Sequence, residues 1–345
     1  MSAASEGIMK GLDDKHVGTI VKFLADVENG KIQGSNNVAL KMIDLLEEII
    51  SECESATALE LCNMVRACGR LCQSDPVAAN MARRVLRAIR DECRATANQS
   101  TEGGESLQRL VLGATARRGT LGPAHDIRPT VRDHIAELRT ELESSLSSIC
   151  SLSRELINCD ELILSCGSGL LMERFLKSAA SRCRIVVAGI NRESEAMAAR
   201  LSSAGVPITF INAASIFGIM SRVNKVVISV RAVLAGGSVA AGAGSLTATT
   251  AADHYSVPVL ALAPLYKLTP LYASDQHHFN MFTSPSSCIS YQNAESVESN
   301  AYAPAFDLIP PDHVSLFVTN LGGHSPSYIY RLLSELYDPK DYQFE

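Results

Sequence analysis

The sequence predicts an α/β chain in which an all-helical N-terminal domain, residues 1–157, is followed by a Rossmann-like parallel-sheet domain, residues 158–345. Apolar residues recur three and four positions apart through the first part of the chain, as they do on one face of a helix. From Cys159 onward, short continuous apolar runs alternate with segments of helical spacing. This second pattern is typical of a parallel sheet that is covered on both faces.

The N-terminal part contains several amphipathic segments. The first begins near Asn37, and the second covers residues 56–72. Asp75 and Pro76 supply an N-cap and a proline at the first helical position of a third helix. Residues 98–106 (NQSTEGGES) are typical of a flexible loop. A long helix is predicted over residues 130–157.

The C-terminal part contains the predicted strands. Its apolar runs lie at residues 162–164, 185–188, 208–211, 226–230, 257–262 and 314–318. Helical spacing appears between them, at residues 193–204 and 213–220. The polar segment 284–303 is predicted to be either an ordered excursion or a mobile loop.

Length and composition exclude several classes of protein. At roughly 150 residues per domain, 345 residues suggest two domains. No stretch approaches the roughly 20 apolar residues of a membrane helix, and the N-terminus lacks a signal-peptide pattern. The 10 cysteines form no CxxC pair, so we expect no metal site and mostly buried free thiols. These features predict a soluble intracellular protein without membrane contact.

The net charge of −6 comes from the C-terminal part of the chain. Residues 256–345 contain three basic and nine acidic side chains, so the remainder is neutral. An acidic surface repels phosphate backbones, so we expect no direct binding of nucleic acid by this part. Solvated acids that maintain solubility are favoured over a docking patch for a basic partner.

Three places at predicted strand ends could bind a ligand, because ligands of such sheets bind beyond the carboxyl ends of the strands. They are a small-residue turn at 165–169, a glycine-rich segment at 235–245 and a lysine after the strand at 257–262. Amide groups at a helix start can cradle a phosphate, although tight strand-to-helix packing also explains the glycines. The candidate phosphate ligands are Gly167, Ser168, Gly169, Gly244, Ser245 and Lys267.

The strand ends lack the groups that proton transfer requires. Between Val223 and Val239 there is no Asp, Glu or His, and the strand 225–230 is followed by Arg231. A hydrolase, isomerase or dehydrogenase working by proton transfer needs a carboxylate or His near such an end.

One helix of the N-terminal part carries a stripe of arginines: Arg83, Arg87, Arg90 and Arg94. We expect a solvated face balanced by Asp91 and Glu92. The alternative is a docking face for an acidic or phosphorylated partner, since arginine pairs bidentately with phosphate.

Four motifs carry a resemblance to a known family. They are FGIMSRVNKVVI at 217–228, APLYKLTP at 263–270, PAFDLIPP at 304–311 and SPSYIYRLLSELY at 325–337. The chain resembles the family of the alpha, beta and delta regulatory subunits of eukaryotic translation initiation factor 2B, and the last motif is most similar to the beta branch. The same fold contains the methylthioribose-1-phosphate and ribose-1,5-bisphosphate isomerases.

Departures from the isomerase pattern imply that the chain has no catalytic residues. The isomerases' catalytic Cys falls on Gly167, with Cys166 one residue away, and their catalytic Asp falls on Arg231. A permanent cation cannot replace a carboxylate in proton shuttling. The Asn that precedes the PAFD motif in the enzymes is Ala303 here, and Asp307 is retained as a structural carboxylate that caps nearby amides.

The resemblance implies a subunit whose role is assembly and regulation, without a cofactor. It would pair with the delta subunit, and beta–delta pairs would join an alpha dimer in a core that carries the gamma and epsilon subunits. Epsilon would supply guanine-nucleotide exchange on initiation factor 2, whose alpha subunit this chain would help to hold. The compartment implied is the cytoplasm.

The predicted C-terminal helix has two interpretations. Its apolar and aromatic residues suggest a subunit interface formed by Tyr328, Tyr330, Leu333 and Tyr337, because aromatic residues are enriched in such contacts. Core packing within the monomer explains them equally well.

Two functional alternatives remain open. The chain could be a sugar-phosphate aldose–ketose isomerase that uses Cys166. It could also be a regulatory subunit that binds a nucleotide or sugar phosphate near Gly167, Gly244 and Lys267.

Overall fold

The computed structural model describes residues 12–53, 57–99, 127–273, 281–285 and 301–344. The chain divides into two compact units: one contains Met1–Glu143 with Ser334–Glu345, and the other contains Ser144–Leu333. The expected division at 157/158 differs from this one in two places. Residues 144–157 belong to the α/β unit, and residues 334–345 are grouped with the helical unit, where Asp338 and Asp341 pair with Arg94 and Arg90.

The described part of the helical unit contains helices and no strands, as predicted. Its helices are α1 (Asp14–Glu28), α2 (Ser35–Glu52), α3 (Ala58–Leu71), α4 (Pro76–Gln99) and the first part of α5 (Arg128–Leu156). The apolar stripe of α2 is buried, with Met42, Ile43 and Leu46 at 0 % exposure. The loop predicted at 98–106 lies outside the described residues, except for its first two residues in α4.

Local capping explains where two of these helices begin. The Thr57 hydroxyl accepts a hydrogen bond from the Glu60 amide, and the Glu60 carboxylate accepts one from the Thr57 amide. This reciprocal arrangement is a capping box, which satisfies amides at the start of α3. At the start of α4, Asp75 accepts hydrogen bonds from the amides of Val77 (2.9 Å) and Ala78 (3.1 Å), as predicted from Asp75 and Pro76.

The arginine stripe on α4 is not the solvated face that we expected. Asp91 does pair with Arg87 and Arg94, but Glu92 contacts His134 instead. The stripe lies against residues 334–344 of the same chain, so its acidic partner is intramolecular. The expectation was wrong because this partner lies about 250 residues away in sequence.

The α/β unit contains the predicted parallel sheet. Six strands run parallel: β1 (Leu162–Cys166), β2 (Arg184–Gly189), β3 (Ile208–Asn212), β4 (Lys225–Val233), β6 (Val259–Leu262) and β8 (Leu316–Thr319). The strand order is β3-β2-β1-β4-β6-β8, with β9 (Gly322–His324) antiparallel at the end. This order is that of a doubly wound Rossmann-like sheet, so the predicted fold class is confirmed.

Within the described residues, five helices accompany these strands, and helical spacing predicted the two that lie near residues 193–204 and 213–220. They are α6 (Leu170–Ala179), α7 (Arg192–Ser203), α8 (Ile216–Met220), α9 (Ser245–His254) and α10 (Ile329–Leu336). The helix predicted at 213–220 begins with a 3-10 turn, Ala213–Ser215, before α8.

An antiparallel extension was absent from the sequence prediction. Strand β5 (Val239–Gly242) lies inside the glycine-rich segment and pairs with β4, while β7 (Phe306–Ile309) pairs with β5. The sequence pattern did not predict β5, because Ala and Gly are not among the residues that are enriched in strands. The extension places Asp307 beside the start of α9.

The polar segment 284–303 is described only at its ends. The Thr283 amide donates to the Ala303 carbonyl at 2.8 Å, and the Ala305 amide donates to the Met281 carbonyl at 2.7 Å. These two hydrogen bonds hold the flanks of the segment together.

The nine cysteines within the described ranges are all free thiols. None of the helices in the described part of the chain combines the length and the apolar character of a membrane span. The described residues also contain no group of three or more His, Cys, Asp or Glu side chains arranged to hold a metal ion.

Candidate functional site

The candidate site lies where the carboxyl ends of β1 and β4 meet, at the point where the strand order changes direction. Cys166 is in register with Ile228, so the turn after β1 lies against the end of β4. Gly167 has φ +99°, and a Cβ added there would lie 3.1 Å from the Ser229 Cβ. A glycine is therefore needed at 167 both for its backbone conformation and for this close approach.

The turn after β1 is partly occupied by a carboxylate. The Ser168 hydroxyl donates to the Glu193 carboxylate at 2.9 Å. Gly169 is the N-cap of α6 and has φ +132°. Because Glu193 is negatively charged and takes up the Ser168 hydroxyl, this turn favours the packing explanation of its glycines over a phosphate cradle.

Cys166 is sealed from solvent at the end of β1. It is 0 % exposed, and burial together with the charge of Asp307 raises the pKa of its thiol to about 12. At neutral pH the side chain is therefore a neutral thiol, whereas a nucleophilic or proton-transferring Cys needs thiolate character and access. The geometry gives Cys166 the properties of a small apolar core residue.

Arg231 is half-buried in the extension of β4. Its guanidinium lies over the ring of Phe306, 4.9 Å from the ring centroid, which is the geometry of a cation–π contact. A fixed cation therefore stands at the position that the isomerase resemblance assigns to a catalytic acid.

Lys267 places a second cation near Arg231. It is 6 % exposed, and its Nζ donates to the Val230 carbonyl at 2.6 Å. Burial, with the charge of Arg231, lowers the pKa of Lys267 to about 8. The ammonium group is thus held by the backbone of β4.

The start of α9 is capped by the chain's own carboxylate. One oxygen of Asp307 accepts hydrogen bonds from the amides of Gly244 (2.7 Å) and Leu246 (3.0 Å). This is the amide-capping role that the resemblance implied for Asp307. The buried Ser245 hydroxyl, 0 % exposed, has no hydrogen-bond partner among the described residues.

These contacts bring most of the predicted site residues to one edge of the sheet. Cys166 and Gly167 adjoin β4, where Arg231 and Lys267 also lie, and Asp307 links β7 to the start of α9. The phosphate-binding role of the six candidate residues stays a prediction, since the amides at 244 and 246 and the Lys267 ammonium already have partners.

Sequence reasoning missed three residues that shape this edge: Ser229, Glu193 and Phe306. Ser229 fixes the glycine requirement at 167, Glu193 binds Ser168, and Phe306 holds Arg231. Their partners lie 25 to 75 residues away along the chain, so no local pattern marks them. Only the PAFD motif gave a signal for Phe306.

The four candidate interface residues separate into two pairs. Leu333 is 1 % and Tyr337 is 0 % exposed, so these two follow the core-packing interpretation. Tyr330 is 65 % exposed, and Tyr328 stacks on His324 at 5.1 Å between centroids. An interface role stays a prediction. Of the four residues, only Tyr330 and the exposed part of Tyr328 could contact a partner without a change in the fold.

Comparison with known proteins relates the chain to translation initiation factors. A family model described as "Initiation factor 2 subunit family" matches residues 31–326. The chain is 42% identical over 220 residues to translation initiation factor eIF2B subunit beta of Dictyostelium discoideum, in a match covering 62% of this chain and 57% of that protein. It is 30% identical to the same subunit of Schizosaccharomyces pombe, covering 93% of this chain and 96% of the relative.

Solved structures share the fold. The crystal structure of eIF2B beta from Chaetomium thermophilum matches with a TM-score of 0.72 at 24% identity, covering 99% of this chain and 98% of the other. A chain of the tetrameric eIF2B-beta2-delta2 complex from the same organism matches with a TM-score of 0.69 at 24% identity, covering 98% and 100%.

Proposed function

Because the chain belongs to the initiation factor 2 subunit family, we propose that it is a beta-type, non-catalytic regulatory subunit of the guanine-nucleotide exchange factor for translation initiation factor 2. Its role would be to build and regulate the exchange complex in the cytoplasm. Two relatives that are 30 and 42% identical to this chain support the proposal, because both are described as the beta subunit of eIF2B.

The observation that carries the non-catalytic part is the guanidinium of Arg231 over Phe306. General acid–base catalysis needs a group that can gain and lose a proton near the working pH. Arginine stays protonated in proteins, and the neighbouring thiol of Cys166 is buried with a pKa raised to about 12. These properties make both groups poor proton carriers, and the nearby Lys267 ammonium is engaged by the Val230 carbonyl, which supports the non-catalytic proposal.

The proposed partners follow the same family relationship. We place the delta subunit as the direct partner, with the alpha, gamma and epsilon subunits in the larger assembly and the alpha subunit of initiation factor 2 as the regulated ligand. Phosphorylation of that ligand would alter exchange through coupling between sites. A coupling free energy of roughly 1–3 kcal/mol changes an affinity about 5- to 150-fold, which suffices for regulation without chemistry.

Co-expression tests the assembly role. The tagged chain is produced alone and with the delta subunit of its own organism, and each product is analysed by sedimentation velocity and mass spectrometry. We expect a defined hetero-oligomer with delta, and self-association or aggregation without it. A monodisperse monomer that ignores delta would contradict the proposal.

Tyr330→Ala tests whether the open part of the C-terminal helix contributes to that assembly. Leu321→Ala is a matched control, since Leu321 is 66 % exposed and lies outside the helix. We expect Tyr330→Ala to weaken association with delta and Leu321→Ala to leave it unchanged. Equal effects of the two variants would remove Tyr330 from the proposed interface.

Incubation with an aldose phosphate tests the enzymatic alternative. We expect no ketose product from methylthioribose 1-phosphate or ribose 1,5-bisphosphate. Turnover that disappears in the Cys166→Ser variant would establish an isomerase instead.

Calorimetric titration with a panel of phosphates tests the other alternative, a regulatory subunit that binds a nucleotide or sugar phosphate. Absence of heat from every phosphate would exclude that alternative.

A further inference from the structure

Residues 337–344, here called the strap, lie against arginine side chains of α3 and α4 within the helical unit. Tyr337 and Asp341 are 0 % exposed, and Phe344 is 6 % exposed. Such burial is unusual for a charged side chain such as that of Asp341. The contacts show what holds each buried group.

Asp341 is the centre of the polar contacts. Its carboxylate accepts a hydrogen bond from Arg66 Nη2 at 3.1 Å and two from Arg90, through Nε and through Nη2 at 2.8 Å. The Arg90 contact is therefore bidentate, the strong geometry for a guanidinium and a carboxylate. Asp338 adds a further ion pair with Arg94.

Arg83 is held by the strap's backbone rather than by a carboxylate. It is 1 % exposed, and it donates to the carbonyls of Asp341 and Tyr342, both at 3.2 Å, and to Asn80. Burial lowers the pKa of Arg83 to about 10. A buried guanidinium needs such acceptors, so removal of the strap would leave this charge poorly satisfied.

Phe344 supplies an apolar anchor. The Arg83 guanidinium lies 4.5 Å from the centroid of the Phe344 ring. A Cβ added at Gly69 would lie 2.5 Å from ring atoms of Phe344, so α3 has a glycine where the ring sits. Arg70 completes the contact by donating to the Phe344 carbonyl at 2.9 Å.

We propose that the strap is the closing element of the helical unit and that the arginine face of α3 and α4 is a binding groove for an acidic–aromatic segment. The occupant is the chain's own sequence DPKDYQF, residues 338–344. Its two Asp side chains meet arginines and its Phe meets Gly69. The strap thereby controls the local stability of α3 and α4.

Hydrogen–deuterium exchange on the full chain tests this coupling, with Asp341→Asn as the perturbation. Loss of a charged partner removes on the order of 1.5–3 kcal/mol from a charge-assisted contact, which is a factor of about 10 to 150 in local opening. We expect exchange to increase by at least about tenfold in the strap, α3 and α4, and to stay unchanged in β1 and β4. Asp312→Asn, an exposed carboxylate outside the strap, is the control and should change nothing.

The anchor at Gly69 provides an independent variant. Gly69→Ala should release the strap sterically and give the same exchange pattern, whereas Gly218→Ala, with open space around it, should not. Unchanged exchange in α3 and α4 for Asp341→Asn would overturn the proposal. A uniform increase that includes β1 and β4 would also overturn it, because the effect would then be general destabilisation.

A chain that ends at residue 336 tests the groove itself. We expect a synthetic peptide of residues 337–345 to restore protection of α3 and α4 in this chain, and the same peptide with Asn at position 341 to fail. If the shortened chain does not fold, exchange of the full chain with Arg90→Met replaces this measurement, because Arg90 donates to both carboxylate oxygens of Asp341. Exchange in the strap should then increase by several-fold, and unchanged exchange there would contradict the role of the ion pair.

Discussion

The buried ammonium of Lys267 should give folding a distinctive dependence on pH. The side chain is 6 % exposed, and burial with the charge of Arg231 lowers its pKa from the ordinary 10.5 to about 8. In the unfolded chain the lysine keeps its ordinary pKa. The unfolded state therefore holds the Lys267 proton more tightly than the folded state does.

The magnitude follows from the difference between the two pKa values. Below pH 8 the lysine is protonated in both states, and the folded state carries the full cost of the buried charge. That cost is about 3 kcal/mol, at roughly 1.4 kcal/mol per pKa unit. Between pH 8 and 10.5 the folded state releases the proton first, so this contribution makes stability rise with pH. From pH 7 to pH 10 the relief is about 2 kcal/mol.

Denaturant unfolding of the parent chain and of Lys267→Met at pH 7, 8, 9 and 10 measures this effect. Buried thiols and tyrosines titrate in both proteins, so the difference between the two free energies of unfolding isolates Lys267. We expect that difference to shift by about 2 kcal/mol in favour of the parent between pH 7 and pH 10. A difference that is constant with pH would refute the assignment of Lys267 as a destabilising buried cation.

Two further predictions concern the start of α9. Asp307→Ala removes the acceptor for the amides of Gly244 and Leu246 and should lower the free energy of unfolding by about 1–2 kcal/mol. Thermal unfolding measures this loss, and an unchanged midpoint would mean that water replaces the cap. Gly244→Ala should cost more than about 1 kcal/mol, because Gly244 has φ +93° and an added Cβ would lie 2.7 Å from Ile190 Cγ2. Gly218→Ala in α8 has open space and an ordinary φ, so equal losses in the two glycine variants would contradict the steric argument.

The arginine stripe shows how far periodicity can predict. The spacing of Arg83, Arg87, Arg90 and Arg94 correctly placed them on one helix. The first interpretation balanced them with Asp91 and Glu92 of that helix, and Asp91 does pair with Arg87 and Arg94. The partner that both interpretations missed is the segment 334–344, in which Asp341 binds Arg90 from 251 residues away. A contact at that separation leaves no periodic trace in the sequence, so only the folded chain could reveal it.

The candidate site shows the same division. Motif comparison predicted that Asp307 caps amides. The apolar pattern ended the strand at residue 230, whereas β4 continues to Val233 and contains Arg231. The burial of Cys166 agrees with the expectation of buried free thiols. The hydrogen bond from Lys267 to the Val230 carbonyl was not predictable, because it depends on which segments become neighbours.

The amino-acid order alone determined the helical and parallel-sheet character of the two parts, the membership suggested by four motifs and the cation at position 231. These properties depend on residue type and on neighbours within a few turns of helix or strand. Tertiary structure decided the antiparallel extension at β5 and β7, the protonation states of Cys166 and Lys267, and the strap that joins the end of the chain to α3 and α4. Each of these arises from the desolvation and pairing of groups that only folding brings together.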